Sequence, residues 1–318
     1  MRNRQPASML LLFAVLAIAS RLEGSQSANI TPTDVYRHVQ AVALDLDRIR
    51  LYMGRPRITQ KEIQVRGVAP REVIYQAATL CEKVNRLSYE LIRVVGDKPA
   101  VPDRDIAPAD VLKFIHLAHE QVTEIAKTLQ LELNPRLMTD SETKTPTDVY
   151  RAVVQLNRQI NLMLDQRFSP SDVYEQVSLA IAHTATLRSR WSGRRIPPEP
   201  DWELGKRPAD VYRLLLECLE LVRSIAEQSD LQILELSVDD ADINNVTPSD
   251  VYDIASLLVS ELAYLDRLLN DIPSRRRARY PGRKVPSDVF QRVGILKEQL
   301  EEINALLESQ SPVEEEGR

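Results

Sequence analysis

A short histidine-rich stretch has the residue types and spacing of a metal site. His119 and Glu120 follow His116 by three and four residues, which on a helix brings the side chains toward one face. Imidazole and carboxylate groups in this arrangement are able to bind an ion such as Zn²⁺. His38 and His183 are distant in sequence, so we expect helix-surface histidines rather than a metal centre. The sequence assigns no metal-binding, catalytic or cofactor-binding residue.

The chain contains two cysteines, Cys81 and Cys218. They occupy nearly equivalent positions in the second and sixth copies of a repeat described below. A disulfide between them would join the two halves of the chain, with a stabilisation of about 2–4 kcal/mol. The alternative is a pair of buried thiols that pack as small apolar side chains. The sequence leaves both alternatives open.

A strongly basic segment, residues 274–284, surrounds Tyr280. It is a candidate for contact with an anionic lipid headgroup, a cell-wall polymer or an acidic protein. The alternative is a solvated linker that counters the acidic residues near the C-terminus. Its six cations are Arg275, Arg276, Arg277, Arg279, Arg283 and Lys284.

Sequence signatures of catalysis are missing. The chain has no G-x-S-x-G, no glycine-rich phosphate loop, no H-E-x-x-H and no paired C-x-x-C. Only 9 of its 318 residues are glycine, which disfavours a fold that depends on tight turns or phosphate loops. The formal charge of −5 argues against a dedicated nucleic-acid binder. We therefore expect no enzyme, no cofactor and no nucleic-acid partner.

An internal repeat organises the whole chain. The motif x-Pro-x-Asp-Val-Tyr, or a close variant, recurs eight times, with successive spacings of 38, 38, 38, 24, 38, 40 and 38 residues. Proline suits the first position of a helix, and an acidic residue two positions later can cap the helix start. Each copy therefore predicts the start of a helix. The eight prolines are Pro32, Pro70, Pro108, Pro146, Pro170, Pro208, Pro248 and Pro286.

The apolar residues after each motif alternate steps of four and three. Repeat six, for example, has Val211, Leu215, Cys218, Val222 and Ile225. This spacing is typical of helices packed at small crossing angles, and further apolar neighbours indicate that each helix faces several others. The predicted class is all-α, an eightfold helical repeat of about 38 residues, in two four-helix bundle-like halves; the alternative is a continuous α-solenoid.

The connections between helices are the least determined part of the prediction. Most are long and rich in proline and charge, so neighbouring helices could run parallel or antiparallel. The connection at Phe168–Ser169 is much shorter, and it predicts an antiparallel hairpin between the fourth and fifth helices. The predicted halves are therefore residues 31–168 and 169–308.

The N-terminus has the features of a secretory signal peptide. Arg2 and Arg4 precede an apolar run too short to span a bilayer, and small residues follow at a cleavage-like position. We predict a signal peptide at 1–19, a linker at 20–30 and an acidic disordered tail at 309–318. Cleavage would remove two arginines, changing the charge from −5 to −7, and would leave no transmembrane segment.

Taken together, these features predict an exported protein of the periplasm or the extracellular space. We expect a helical-repeat interaction or scaffold module of the cell envelope, with a protein partner whose identity the sequence does not give. The alternative is a helical bundle that binds a small molecule or a metal ion.

Overall fold

The computed structural model describes residues 30–57, 62–133, 142–191, 198–239, 243–269 and 282–309. The predicted signal peptide lies outside these ranges, as do most of the 20–30 linker and almost all of the acidic tail. Among the described residues, no helix combines the length and the apolar character needed to cross a membrane.

Eight long helices dominate the described residues, and the predicted all-α class is confirmed. Each helix begins at a motif proline. In chain order they are α1 (Pro32–Tyr52), α2 (Pro70–Ile92), α3 (Pro108–Thr128), α4 (Pro146–Met163), α5 (Pro170–Arg188), α6 (Pro208–Glu227), α7 (Pro248–Leu269) and α8 (Pro286–Glu308).

The acidic residue of the motif caps every one of these helices. In all eight, its carboxylate accepts a hydrogen bond of 2.7–3.1 Å from the backbone N–H of the residue before the proline. At Thr31, Thr145, Ser169 and Thr247 the hydroxyl of that residue also donates to the same carboxylate, at 2.7 Å. The predicted capping role of the eight acidic residues is confirmed.

The helices pack in a regular order. Helices α1 and α2 each pack on α3 and α4, whereas α5 and α6 each pack on α7 and α8. We call α1–α4 the first set and α5–α8 the second set. Among the described residues, α1 and α5 contact the third and fourth helices of their sets, whereas α2 with α3 and α6 with α7 are sequence neighbours in contact.

Within the second set all four helices point the same way. The prolines and valines of the four helix starts line one small common cavity (Pro170, Val173, Pro208, Val211, Pro248, Val251, Pro286 and Val289). At the other end, Gln228, just after α6, donates a 2.8 Å hydrogen bond to Asn304 near the end of α8. Both ends therefore indicate a parallel arrangement, with the long connections running back along the helices.

Contacts at the helix ends show that the first set is parallel as well. Lys144, just before α4, donates its backbone N–H to Thr33 at the start of α1, at 2.9 Å. Asp165, just after α4, donates its backbone N–H to Glu90 near the end of α2, at 2.9 Å. Arg48, late in α1, donates to the carbonyl oxygen of Glu132 beyond the end of α3.

The two sets run in opposite directions where α2 packs on α7. Lys83, in the second half of α2, forms a 2.9 Å ion pair with Asp253 at the start of α7. The guanidinium of Arg71, at the start of α2, lies 3.9 Å from the ring centre of Tyr264, late in α7. The helices α2 and α7 are therefore antiparallel.

The predicted α4–α5 hairpin is wrong in its packing, although the two helices do run in opposite directions. Helix α4 ends at Met163 rather than close to Phe168, so residues 164–169 form a longer connection than predicted. Leu164 and Phe168 are buried, and their burial draws this connection into the core. Within the described residues, α4 and α5 pack on helices of their own sets rather than along each other.

A two-stranded antiparallel ribbon also joins the sets, and the sequence analysis did not predict it. Strand β1 (Gln64–Arg66) lies between α1 and α2, and β2 (Glu235–Ser237) lies between α6 and α7. Val65 is opposite Leu236 in the register. Val65 is buried, and β1 packs on α4.

Candidate functional site

A cleft of about 380 Å³ lies between α1 and α4 in the first set. We call it the α1/α4 cleft. Three glutamines line it: Gln40 from α1, and Gln155 and Gln159 from α4. Gln155 and Gln159 are four residues apart on one helix, so they lie on the same face. An amide side chain carries both hydrogen-bond donors and an acceptor, which is the pattern that a polypeptide backbone also presents.

Small residues in the helix seam leave room for this cleft. Ala43 of α1 and Ala152 of α4 line it. At the positions corresponding to Ala43 and Gln155, the α5 and α8 helices carry Ile181 and Ile295, which belong to or pack against the hydrophobic core. At these two positions the first set therefore has a small and a polar side chain where the second set has isoleucine.

Charged groups of both signs surround the α1/α4 cleft. The buried Arg50 donates a 2.7 Å hydrogen bond to Asp47, and the more exposed Arg57 lies 3.2 Å from the other oxygen of the same carboxylate. At the opposite side, hydrogen bonds from Thr145 lower the pKa of Asp148, so this carboxylate is ionised at neutral pH. The lining thus offers both cationic and anionic partners.

A second cavity, of about 570 Å³, lies beside the ribbon. We call it the ribbon cavity. Glu62 and Ile63 line both it and the α1/α4 cleft, so the two cavities are neighbours. Arg151 of α4 holds β1 in place between them by donating a 3.0 Å hydrogen bond to the carbonyl oxygen of Val65.

Both helix sets contribute to the ribbon cavity. Arg158 comes from the first set, whereas Tyr212 and Asp250 come from the second, and Ser237 belongs to β2. We call the α1/α4 cleft and the ribbon cavity together the polar trench. It extends from a seam within the first set to the junction between the sets, which is a common location for binding sites.

The histidine stretch is more clustered than the sequence indicated. The rings of His38 and His116 contact each other with centres 4.6 Å apart, and His119 lies 2.8 Å from the carboxylate of Asp45. Burial and the two neighbouring histidines lower the pKa of His116. Within the described ranges, no three His, Cys, Asp or Glu side chains are grouped so that they could hold a metal ion.

Cys81 and Cys218 are separate, free thiols in the structure, and both are buried. Cys81 donates a 3.2 Å hydrogen bond to the carbonyl oxygen of Phe114 on α3, whereas Cys218 lies in α6 of the second set. Of the two alternatives that the sequence left open, the structure favours buried thiols that pack in the core.

Most of the basic segment lies outside the described residues, namely Arg275, Arg276, Arg277 and Arg279. Of the two described cations, Arg283 is exposed. Lys284 is tied to α5, because its backbone N–H donates to Ser171 at 2.9 Å and its ammonium lies 4.7 Å from the ring centre of Tyr174. Lys284 therefore has a role in packing at the helix starts.

Sequence reasoning missed the glutamines of the α1/α4 cleft. Their signal was the pattern Ala152–Gln155–Gln159, which places one small and two amide side chains along a single face of α4. The pattern predicts a polar seam, but the helix that faces it could not be identified without the packing order.

Comparison with known protein families, with curated proteins and with solved structures finds no match for this chain.

Proposed function

We propose that the protein is an interaction module that binds an extended segment of a partner polypeptide in the polar trench. The observation that carries this proposal is the amide-lined α1/α4 cleft, which shares the lining residues Glu62 and Ile63 with the ribbon cavity. A polypeptide backbone needs alternating donors and acceptors, and glutamine side chains supply both. The charged groups on the two sides would select the side chains of the bound segment.

Two further parts of the proposal come from the sequence. The first is that the chain consists of two four-helix bundle-like halves, related by duplication of the motif repeat. The packing order and the shared cavity at the helix starts support this view. The second is export to the periplasm or the extracellular space, which rests on the apolar N-terminal segment of the sequence.

The test is site-specific photo-crosslinking in the native host. A photoreactive amino acid is placed at Gln155 inside the cleft and, as the matched control, at Leu44, which is on α1 but outside the cleft lining and 43% exposed. We expect a crosslinked polypeptide from the Gln155 position and none from the Leu44 position. Equal crosslinking from both positions would contradict the proposal.

A second variant distinguishes binding in the cleft from nonspecific crosslinking. Ala43→Ile introduces the residue found at the corresponding position of α5, Ile181, and would fill the cleft without adding charge. We expect it to abolish the Gln155 crosslink while leaving the thermal unfolding midpoint close to that of the wild type. Retention of the crosslink would show that the partner binds elsewhere.

A small-molecule ligand is the second candidate function, because both cavities have the volume typical of ligand sites. A thermal shift screen with a metabolite panel tests it, since a ligand that binds only the folded state raises the midpoint. A shift that Ala43→Ile removes, without any crosslinked polypeptide, would favour this candidate over the first.

A further inference from the structure

Two carboxylates from different helix sets meet where α2 packs on α7. The side chains of Glu72 and Glu261 are both 0% exposed. The Nε of Arg71 lies 2.6 Å from Oε1 of Glu72 and 3.6 Å from Oε2 of Glu261. One guanidinium therefore lies beside two buried carboxylates.

Arg71 and Glu72 also contact other groups. The second oxygen of Glu72 accepts the 2.7 Å capping hydrogen bond from the backbone N–H of Ala69. Arg71 donates to the carbonyl oxygen of Gln232 at 2.8 Å, and its guanidinium stacks on Tyr264. Glu261 thus has no dedicated cation of its own among these groups.

Among the described residues, Arg71 is the cation in contact with the pair, whereas Arg267 of α7, 6.0 Å from the Tyr264 ring centre, is paired with Asp105 at 2.7 Å. Tyr75 of α2 interacts electrostatically with Glu261 and with Asp103 of the α2–α3 connection. Tyr150 of α4 interacts with both Glu72 and Glu261. Tyr264 of α7 contacts the guanidinium of Arg71, and Tyr212 of α6 interacts electrostatically with Tyr150. A tyrosine is neutral at pH 7 and an aspartate is negative. Two ionised glutamates would therefore leave an uncompensated buried negative charge, which is costly.

We propose that Glu72 and Glu261 share one proton across the α2/α7 interface at neutral pH, and that loss of this proton in alkaline solution loosens the packing of the two helix sets. In the shared state one carboxyl group donates a hydrogen bond to the other carboxylate, and Arg71 neutralises the single remaining charge. When hydroxide removes the proton, two carboxylates of like charge face each other across the interface.

The directions of the pKa shifts agree with this arrangement. Burial raises the pKa of Glu261, and the neighbouring Glu72 raises it further. Burial also raises the pKa of Glu72. A carboxyl group whose pKa is higher in the folded protein contributes stability that is fully present below its unfolded value of 4.5 and is lost as the pH rises through the folded value.

Loss of the proton would act at the contact between the sets. Among the described residues, α2 packs on α7 and the β1–β2 ribbon also joins the sets; in addition, Arg86 of α2 forms a 2.5 Å ion pair with Asp172 of α5. The interface can therefore loosen while each set keeps its internal packing. The proposal does not depend on what the polar trench binds.

The first experiment compares the wild type with Glu261→Gln by hydrogen exchange between pH 6 and pH 9. The amide can still donate to Glu72, but it cannot lose a proton in this range. If opening releases one proton, the opening constant of the wild-type α2/α7 interface rises up to about tenfold per pH unit between the ordinary glutamate pKa of 4.5 and the raised pKa of the pair, and levels off above it. We expect this increase in α2 and α7 of the wild type relative to the variant.

The matched control is Glu227→Gln, which neutralises a carboxylate that is 64% exposed on α6. It should retain the wild-type pH dependence. The same pH dependence in Glu261→Gln as in the wild type would overturn the proposal.

A measurement on the wild type guards against a variant that fails to fold. Infrared spectroscopy at pH 7 detects the carbonyl band of a protonated carboxylic acid in the intact protein. We expect one such band that shifts on transfer to heavy water and disappears as the pH is raised. Absence of the band at pH 7 would refute the shared proton without any substitution.

Discussion

Replacing Lys83 with methionine tests how the buried ion pair between the sets contributes to stability. The ammonium of Lys83 is 2.9 Å from the Asp253 carboxylate, and the lysine side chain is 0% exposed. Methionine has a similar length without the charge, so Lys83→Met leaves the Asp253 carboxylate, which is 12% exposed, without its ion-pair partner. Such a group takes up a proton rather than remain charged in an apolar environment.

The magnitude follows from the free energy of protonating that carboxyl group. Burial raises the pKa of Asp253 above the ordinary 3.8 even with Lys83 present. The pKa of an ordinary aspartate lies about three units below pH 7, so protonating it at pH 7 costs about 4 kcal/mol. At pH 5 the difference between the pH and this pKa is about one unit, so protonation costs less than about 2 kcal/mol. We therefore expect Lys83→Met to destabilise by about 3–5 kcal/mol at pH 7 and by less than half of that at pH 5.

The assay is urea unfolding at both pH values, with two companion variants. The double variant Lys83→Met/Asp253→Asn removes both charges and should recover most of the lost stability. Lys297→Met breaks the exposed 2.6 Å pair with Glu217 and should cost less than about 1 kcal/mol. The reasoning is refuted if Lys83→Met loses the same free energy at pH 5 and pH 7, or if its loss matches that of Lys297→Met.

Three other predictions concern the caps, the histidines and the thiols. Thr145→Ala removes the hydroxyl that accepts the backbone N–H of Asp148 and should lower the free energy of unfolding by about 1 kcal/mol in urea titrations. An NMR titration should place the pKa of His116 below 6.5; because stability is then lost as the pH falls below 6.5, His116→Gln should flatten this acid-side loss in the urea midpoint. Burial raises the pKa of Cys81 to about 12 and raises that of Cys218, so a thiol reagent should modify neither cysteine until the protein is unfolded. A mass change on reduction alone would contradict the free thiols.

The helix starts could be predicted from the sequence because their determinants are local. A proline followed by an acidic residue two positions later specifies both the backbone angle and the capping hydrogen bond, as at Pro146 and Asp148. The capping role therefore needed no knowledge of the tertiary structure. The end of α4 was placed too late, because it depends on burial of Leu164 and Phe168 in the core.

The order of packing could not be predicted, since the connections are long enough for several arrangements. The contact of His38 with His116 and the cleft between α1 and α4 both follow from that order. The strands β1 and β2 are three residues each, too short for an alternating pattern to stand out. Glu72 was predicted as a capping residue, and its second role beside Glu261 depends on the α2/α7 packing.

The parallel direction of the helices within each set has an electrostatic consequence. Each helix carries a macrodipole of about half a positive elementary charge at its N-terminus, so four parallel helices accumulate about two positive charges at the proline end. The four motif carboxylates of a set lie at that end and offset this charge. The same offset applies in the four helices whose N-cap residue has no hydroxyl, where the carboxylates are those of Glu72, Asp110, Asp210 and Asp288. Because the two sets run in opposite directions, their summed dipoles also oppose each other, which favours the antiparallel contact of α2 with α7.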